Sequence, residues 1–411
     1  MIEDYSRNSF FTHHDVNYHV VLLHQKFQKK PEDNYIIDVA LALKEFHQVT
    51  IYTTRFDEKE TFESALPLRD CVKQAGSWIP NSLCGLFKKL FAVYKSMWLS
   101  LQLLIKPPEP RPTIVILDTS TIVLYFLHCF TNYKLFYIHH FPHLRCVDSY
   151  YNNMVVIPDL ITIKTIGYAD EIILQTKPLQ EVFERSFPKV KNVNVLTPSY
   201  GTGSWNDKTI DVRRIVPDLP ITHKLFVAFG DFKKRSNFML ILDALEEVIG
   251  FATKSIKEEI HVIFAGNYTS DCFTYYDQLI QKSKSKPFAS HVSFLKQLPT
   301  VHKKTLIEAS TAVIHMVNYD LYPGPIIAAM SLAKPIIAVR NGFAETVLTH
   351  RISAIFVDPE PRKLAAVMYK IVNVATLQSF LGNMAEGLYI NEYSYKIFCD
   401  KINGLCVKHV T

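Results

Sequence analysis

The sequence predicts an α/β protein of two doubly wound domains, each a parallel sheet with crossover helices. Three observations predict it. The chain has 411 residues, too many for one ordinary core and suited to two domains of about 200 residues each. Short β-branched runs alternate with helical stretches in both halves, the rhythm of strand, crossover helix and parallel strand. Between the halves, residues 198–220 (PSYGTGSWNDKTIDVRRIVPDLP) are turn-rich and lack an apolar period, which makes them the expected joint.

In the first half, residues 19–24 (HVVLLH) read as a buried strand, and residues 36–46 carry apolar side chains at helical spacing. Residues 49–53, 113–117 (ending at Asp118), 134–140, 171–174 and 193–196 read as further strands. The second half repeats the pattern. Residues 224–229 (KLFVAF) form a strand, 238–249 an amphipathic helix, and 260–264 a strand that stops at Ala265-Gly266. Residues 292–295, 312–315, 335–339 and 354–357 complete the series. Two such sheets are expected to face each other across a cleft, with ligand at the carboxyl ends of the strands. Residues 1–205 and 206–411 are the expected domains.

One stretch stands apart. Residues 86–105 (LFKKLFAVYKSMWLSLQLLI) are broadly apolar and match a membrane span in length, but contain Lys88, Lys89 and Lys95. A lysine at bilayer depth is costly, so an interfacial helix fits better than a span. A helix that simply covers the first sheet is the alternative.

Composition narrows the class. A hydrophobic fraction of 48% against 20% charged excludes a disordered chain. Only 13 residues are glycine, on which phosphate-cradling loops depend. The net charge of +6 fits either a mildly basic surface or attraction to an anionic membrane or a phosphorylated substrate. The 7 cysteines are scattered without a CxxC pair, which argues against a zinc site or disulfide scaffold and for a reducing compartment. The polar N-terminus shows no secretory signal. Asn267-Tyr-Thr269 has the form of a glycosylation sequon and is expected to stay unmodified in a cytosol-facing chain.

Several segments together resemble one family. They are residues 53–57 (TTRFD) with 62–64 (FES), 135–142 (LFYIHHFP), 237–245 (NFMLILDAL), 292–295 (VSFL), Ala329-Met330, 335–339 (PIIAV) and 358–361 (DPEP). In order and spacing these are similar to the eukaryotic α-1,3/1,6-mannosyltransferases of dolichol-linked N-glycan assembly, retaining glycosyltransferases of the GT-B fold. The resemblance runs from about residue 19 to the C-terminus. It implies GDP-mannose as donor, a dolichyl-diphosphate-linked oligosaccharide as acceptor, no metal and no cofactor. It also implies the cytosolic face of the endoplasmic reticulum membrane, other N-glycan assembly transferases as partners, and no nucleic acid.

The same resemblance marks the site residues. Retaining transfer from a nucleoside diphosphate without a metal needs fixed cations or backbone N–H groups on the departing diphosphate. The family supplies an Arg and a Lys five residues apart; Asp231 and Ser236 stand at those positions. Lys233, Lys234 and Arg235 lie between them, either as a solvated helix start or as a displaced phosphate clamp. Gly266 and Gly324 are the expected backbone contacts to donor. The family's glutamate pair, spaced E-x7-E, corresponds to Asp320 and Ala328. Asp320 keeps the charge one methylene short, Ala328 cannot accept from ribose, and Pro323 and Pro325 remove two N–H donors. The family's glycine-rich first loop is replaced by residues 25–33 (QKFQKKPED), without glycine. His140 survives after a strand end, placed to hydrogen-bond the transferred sugar. His140 and Asp320 are the expected catalytic residues. Two lost cations and one lost ribose acceptor correspond to about 4–9 kcal/mol, or roughly 10³ to 10⁶ in rate or affinity. The expected function is therefore a mannosyltransferase; the alternative is a catalytically impaired relative acting as a membrane-associated scaffold.

Overall fold

The computed structural model describes residues 17–28, 31–81, 87–140, 160–201, 205–220, 222–284, 288–318, 320–321 and 324–410. Lys29, Lys30, Leu86, Phe141, Pro142, residues 202–204 and Pro323 of the segments above lie outside them.

Two parallel sheets carry the fold. The first contains β1 (His19–Leu23), β2 (Gln48–Thr53), β3 (Val72–Gln74), β4 (Ile114–Leu117), β5 (Lys134–Ile138), β6 (Glu171–Leu174) and β7 (Val193–Val195), in the order β3-β2-β1-β4-β5-β6-β7. The second contains β8 (Lys224–Phe229), β9 (Ile260–Gly266), β10 (Val292–Lys296), β11 (Ala312–His315), β12 (Ile336–Ala338) and β13 (Ile355–Phe356), in the order β10-β9-β8-β11-β12-β13. Residues of β1, β4 and β6 are buried along their whole length, as expected for strands covered on both faces and written in continuous Val, Ile and Leu. The unexpected strand is β3, whose three residues are half-buried or exposed and so leave no hydrophobic run in the sequence.

The helices read out the 3.6-residue period. In Phe238–Phe251 the buried side chains Phe238, Ile241, Leu242, Leu245 and Val248 form one stripe, and the helix packs on Pro361–Asn373, which buries Leu364, Met368 and Ile371. Helix Lys177–Ser186 starts at Thr176, whose side chain accepts from the Leu179 N–H, with a proline in its first turn.

The apolar stretch forms the helix Lys88–Ile105. It covers the first sheet with one face: Ser96, Leu99, Ser100 and Leu103 are buried, and the helix contacts β1 and β2. Lys95 is buried too and donates to Asn81 Oδ1 at 2.5 Å, and burial, with Lys26 adding to it, lowers its pKa. The opposite side exposes Phe87, Leu90, Tyr94 and Ile105. Among the described residues no single helix is long and apolar enough to cross a membrane; one pair, Pro361–Asn373 with Ala375–Val410, passes on length and composition but is bent by 100°.

Contacts divide the chain into two compact units. One comprises Met1–Ile138, Leu160–Glu171 and Ile402–Thr411; the other comprises His139–Asp159 and Ile172–Lys401. The first is closed at its end by Glu171, a buried carboxylate that His409 Nε2 meets at 2.6 Å and Lys408 Nζ at 3.4 Å. The second has its two largest apolar clusters on the two faces of β8 and β9, with Phe226, Phe264 and Phe238 on one side and Leu225, Val227 and Ile263 on the other.

Candidate functional site

In an open parallel sheet the crevice for ligand lies where the strand order reverses. In the second sheet that point falls between β8 and β11. The loop leaving β8 holds Asp231, Lys234, Arg235 and Ser236, and the loop leaving β11 holds Asp320 and leads to Gly324. The two loops are stitched together. The Asn318 N–H donates to the Arg235 carbonyl at 3.0 Å, and Asn237 Nδ2 donates to the Met316 carbonyl at 3.0 Å and to Asn318 Oδ1 at 2.9 Å. Asn237 takes a left-handed conformation, φ 52°, which asparagine tolerates better than most residues. Gly266 is demanded by geometry: a Cβ there would lie 1.6 Å from the Gly230 carbonyl oxygen.

Two of the three cations of the first loop are paired, Arg235 within the loop and Lys233 with a residue outside it. Arg235 Nη2 is paired with Asp231 Oδ2, whose other oxygen accepts from Asn267 Nδ2 at 3.2 Å. The Ser236 hydroxyl donates to the Asp231 carbonyl at 2.6 Å and is buried. Lys233 Nζ lies 2.7 Å from Asp271 Oδ2; that hydrogen bond holds the lysine's pKa above its ordinary value and lowers the Asp271 carboxyl to about 2. Lys234 is exposed and makes no ion pair among the described residues.

Asp320 is held from three sides. Its Oδ2 lies 2.8 Å from His315 Nε2, at the end of β11, with side-chain exposures of 16% and 2% that place the contact in the interior. The Phe343 N–H donates to its carbonyl at 2.8 Å. Gly342, at φ +54°, makes that approach possible, since a Cβ would meet the Asp320 carbonyl oxygen at 2.3 Å. The Thr176 hydroxyl donates to the next carbonyl, Leu321, at 2.8 Å. Gly324 opens the short helix Gly324–Met330 beside the Tyr200 hydroxyl, and Ala328 within that helix is buried. His315, Gly342 and Thr176 are absent from the sequence reading; His315 was visible only as the last residue of an apolar run.

The first sheet reverses between β1 and β4, and there the structure places a buried ion cluster. His24 donates from Nδ1 to Asp118 Oδ2 at 2.8 Å and from Nε2 to the Lys26 carbonyl at 2.9 Å, with Asp33 Oδ1 at 3.4 Å. Burial opposes the charge, but the carboxylates of Asp118 and Asp33 outweigh it and hold the imidazole pKa up at about 10. Among the described residues of the glycine-free loop, Gln25 and Gln28 are hydrogen-bonded. The Gln25 carbonyl accepts from the Thr54 N–H at 2.9 Å and the Thr53 hydroxyl at 3.0 Å, its amide donates to the Ala92 carbonyl and to Ser96, both at 2.6 Å, and the Gln28 N–H donates to Asp33 at 2.7 Å.

His140 follows the end of β5. Its Nδ1 lies 3.4 Å from Gln175 Nε2. Its neighbour His139 is buried against the edges of Phe183 and Phe187, and burial, helped by His140, drives its pKa down to about 3. The two adjacent histidines are thus divided between packing and a half-buried position beside a polar amide.

A family model described as "Glycosyl transferases group 1" matches residues 212–386, the stretch that contains both loops of the second sheet. The fold is shared with solved glycosyltransferase structures. Anabaena Alr3699/HepE, solved in complex with UDP and glucose, superposes with a TM-score of 0.67 at 14% identity, covering 95% of this chain and 100% of that one. The sucrose-phosphate synthase of Thermosynechococcus elongatus gives 0.69 at 13% identity, covering 95% and 99%. With two Rossmann-like sheets the protein has the GT-B fold, and residues 212–386 match a glycosyltransferase domain. Along most of its length it is a homologue of the α-1,3/1,6-mannosyltransferases. It is 23% identical over 407 residues to "Alpha-1,3/1,6-mannosyltransferase ALG2" of Mus musculus, covering 95% of this chain and 96% of the relative. It is 24% identical over 396 residues to that of Homo sapiens, covering 93% and 94%.

Proposed function

We propose that the protein transfers mannose from GDP-mannose to a dolichyl-diphosphate-linked oligosaccharide during N-glycan precursor synthesis, at the cytosolic face of the endoplasmic reticulum. The observation that carries this reading is the collinear similarity to mannosyltransferases over 93–95% of the chain, which favours an enzyme over a scaffold. In this reading residues 1–205 serve the acceptor and residues 206–411 the donor. Asp320 and His140 contact the transferred sugar. Lys234, Arg235 and the backbone at Gly266 and Gly324 face the diphosphate, which leaves as GDP when the sugar–phosphate bond breaks. Fixed protein charge then stabilises the leaving group without a metal.

Membrane attachment in this reading rests on three helices of the first unit that contact one another in sequence, Lys88–Ile105, Ile122–Phe130 and Leu160–Thr165. None of them contains an acidic residue, and together they expose Leu90, Tyr94, Tyr125, Phe130, Leu160 and Ile163. An apolar, acid-free surface with lysines beside it suits a bilayer interface. Co-flotation with anionic vesicles, lost on Leu90→Glu with Leu160→Glu, is the expected result; unchanged flotation of that variant contradicts it. The donor assignment is tested by calorimetric titration with GDP, GDP-mannose and UDP. Selective binding of the guanine nucleotides, weakened by Lys234→Ala, is expected, and binding of none of them overturns the assignment.

A further inference from the structure

We propose that Asp231 is an internal counter-anion that occupies Arg235 and competes with the donor diphosphate for it. The inference rests on the donor reading of the loop after β8, and goes beyond it by assigning that site a built-in brake.

Three observations point the same way. The Asp231 carboxylate is not a solvated surface charge: one oxygen is paired with Arg235 and the other accepts from Asn267, while the Ser236 hydroxyl fixes its main chain from behind. It lies at the point of the second sheet where the strand order reverses, where an anionic ligand would meet the loop. The Arg235 carbonyl is itself anchored by Asn318, so the arginine's main chain is fixed while its guanidinium is about a third exposed. A carboxylate on a guanidinium makes the same charge-assisted contact that a phosphate would. With Lys233 likewise held by Asp271 of the neighbouring segment, three cations face two carboxylates, and the one net positive charge among these five groups is carried at Lys234. A nucleoside diphosphate then binds in full only by displacing Asp231 from Arg235, and its affinity is reduced by the strength of that internal pair.

The test is GDP affinity by calorimetry at low ionic strength, with folding of each variant checked by thermal melting. Asp231→Asn keeps the side chain's shape and its hydrogen-bonding capacity towards Asn267, but removes the charge that holds Arg235. GDP affinity is expected to rise at least about tenfold, the range of one charged hydrogen bond. Asp231→Asn combined with Arg235→Ala is expected to lose the gain. Glu258→Gln raises the net charge equally at an exposed pair with Lys254, and is expected to change affinity less than about twofold. Wild-type protein that binds GDP while Asp231→Asn binds it no better overturns the proposal and leaves the donor site standing. An equal gain in Glu258→Gln also overturns it, because the effect is then general electrostatics. Absence of GDP binding in the wild type, Asp231→Asn and Asp231→Arg alike removes the donor reading itself, and the proposal with it.

Discussion

His24 holds a buried ion cluster together in the first unit, and its loss is expected to destabilise that unit. It sits buried at the reversal point of the first sheet, bonded to Asp118 and the Lys26 carbonyl, with Asp33 at 3.4 Å. Removing it takes the charge of a protonated imidazole away from two buried carboxylates, a change that costs about 3–5 kcal/mol in buried ion pairs. The titration gives a consistent magnitude. Raising an imidazole from 6.5 to about 10 corresponds to about 5 kcal/mol as an upper bound. The sign follows from the direction: the folded pKa is raised, so the stabilisation is fully present below 6.5 and is lost as pH rises through about 10. Urea unfolding followed by tryptophan fluorescence measures both, since Trp78 and Trp98 stack edge to face in this unit. His24→Ala is expected to lose about 3–5 kcal/mol at pH 6, with the gap to the wild type closing towards pH 10. A loss under about 1 kcal/mol, or a gap that does not change with alkaline pH, refutes the account of this cluster.

His139 predicts the opposite limb. Burial lowers its pKa to about 3 from 6.5, so the unfolded chain binds the proton first, and stability present above 6.5 declines as the pH falls. At pH 5 the contribution is about 2 kcal/mol, and His139→Phe should flatten the acid limb of melting temperature against pH; a limb parallel to the wild type's contradicts the assignment. Gly266→Ala forces a Cβ to within 1.6 Å of the Gly230 oxygen and is expected to cost about 2–4 kcal/mol. It should weaken GDP binding as well as lower the melting temperature, and unchanged values of both refute the close approach as a requirement.

The strands of both sheets were legible because parallel, doubly covered strands are written as continuous Val, Ile and Leu runs, as in IVIL of β4 or KLFVAF of β8. The strand β3 was not, because three half-exposed residues carry no such signal. The sites were legible only in part. Asp231, Arg235 and Ser236 stood out in the sequence, and Asp231 and Arg235 even have the spacing of an i,i+4 pair. Sequence spacing does not say which of two anions an arginine will meet, so it leaves the cations as either a solvated helix start or a displaced phosphate clamp. His24, Asp33 and Asp118 come from three separate segments, and only the strand order of the folded sheet makes them neighbours. Gly342 serves Asp320 across a gap of more than twenty residues for the same reason.

Mannose transfer can be measured directly. Purified protein is incubated with GDP-mannose and a mannosylated, dolichyl-diphosphate-linked oligosaccharide acceptor, and the products are read by mass spectrometry. The account predicts addition of hexose to the acceptor with stoichiometric release of GDP, slow in the wild type, faster in Asp231→Asn and abolished in Asp320→Ala. Folded protein that binds GDP-mannose yet adds no hexose, in the wild type and in Asp231→Asn alike, contradicts it.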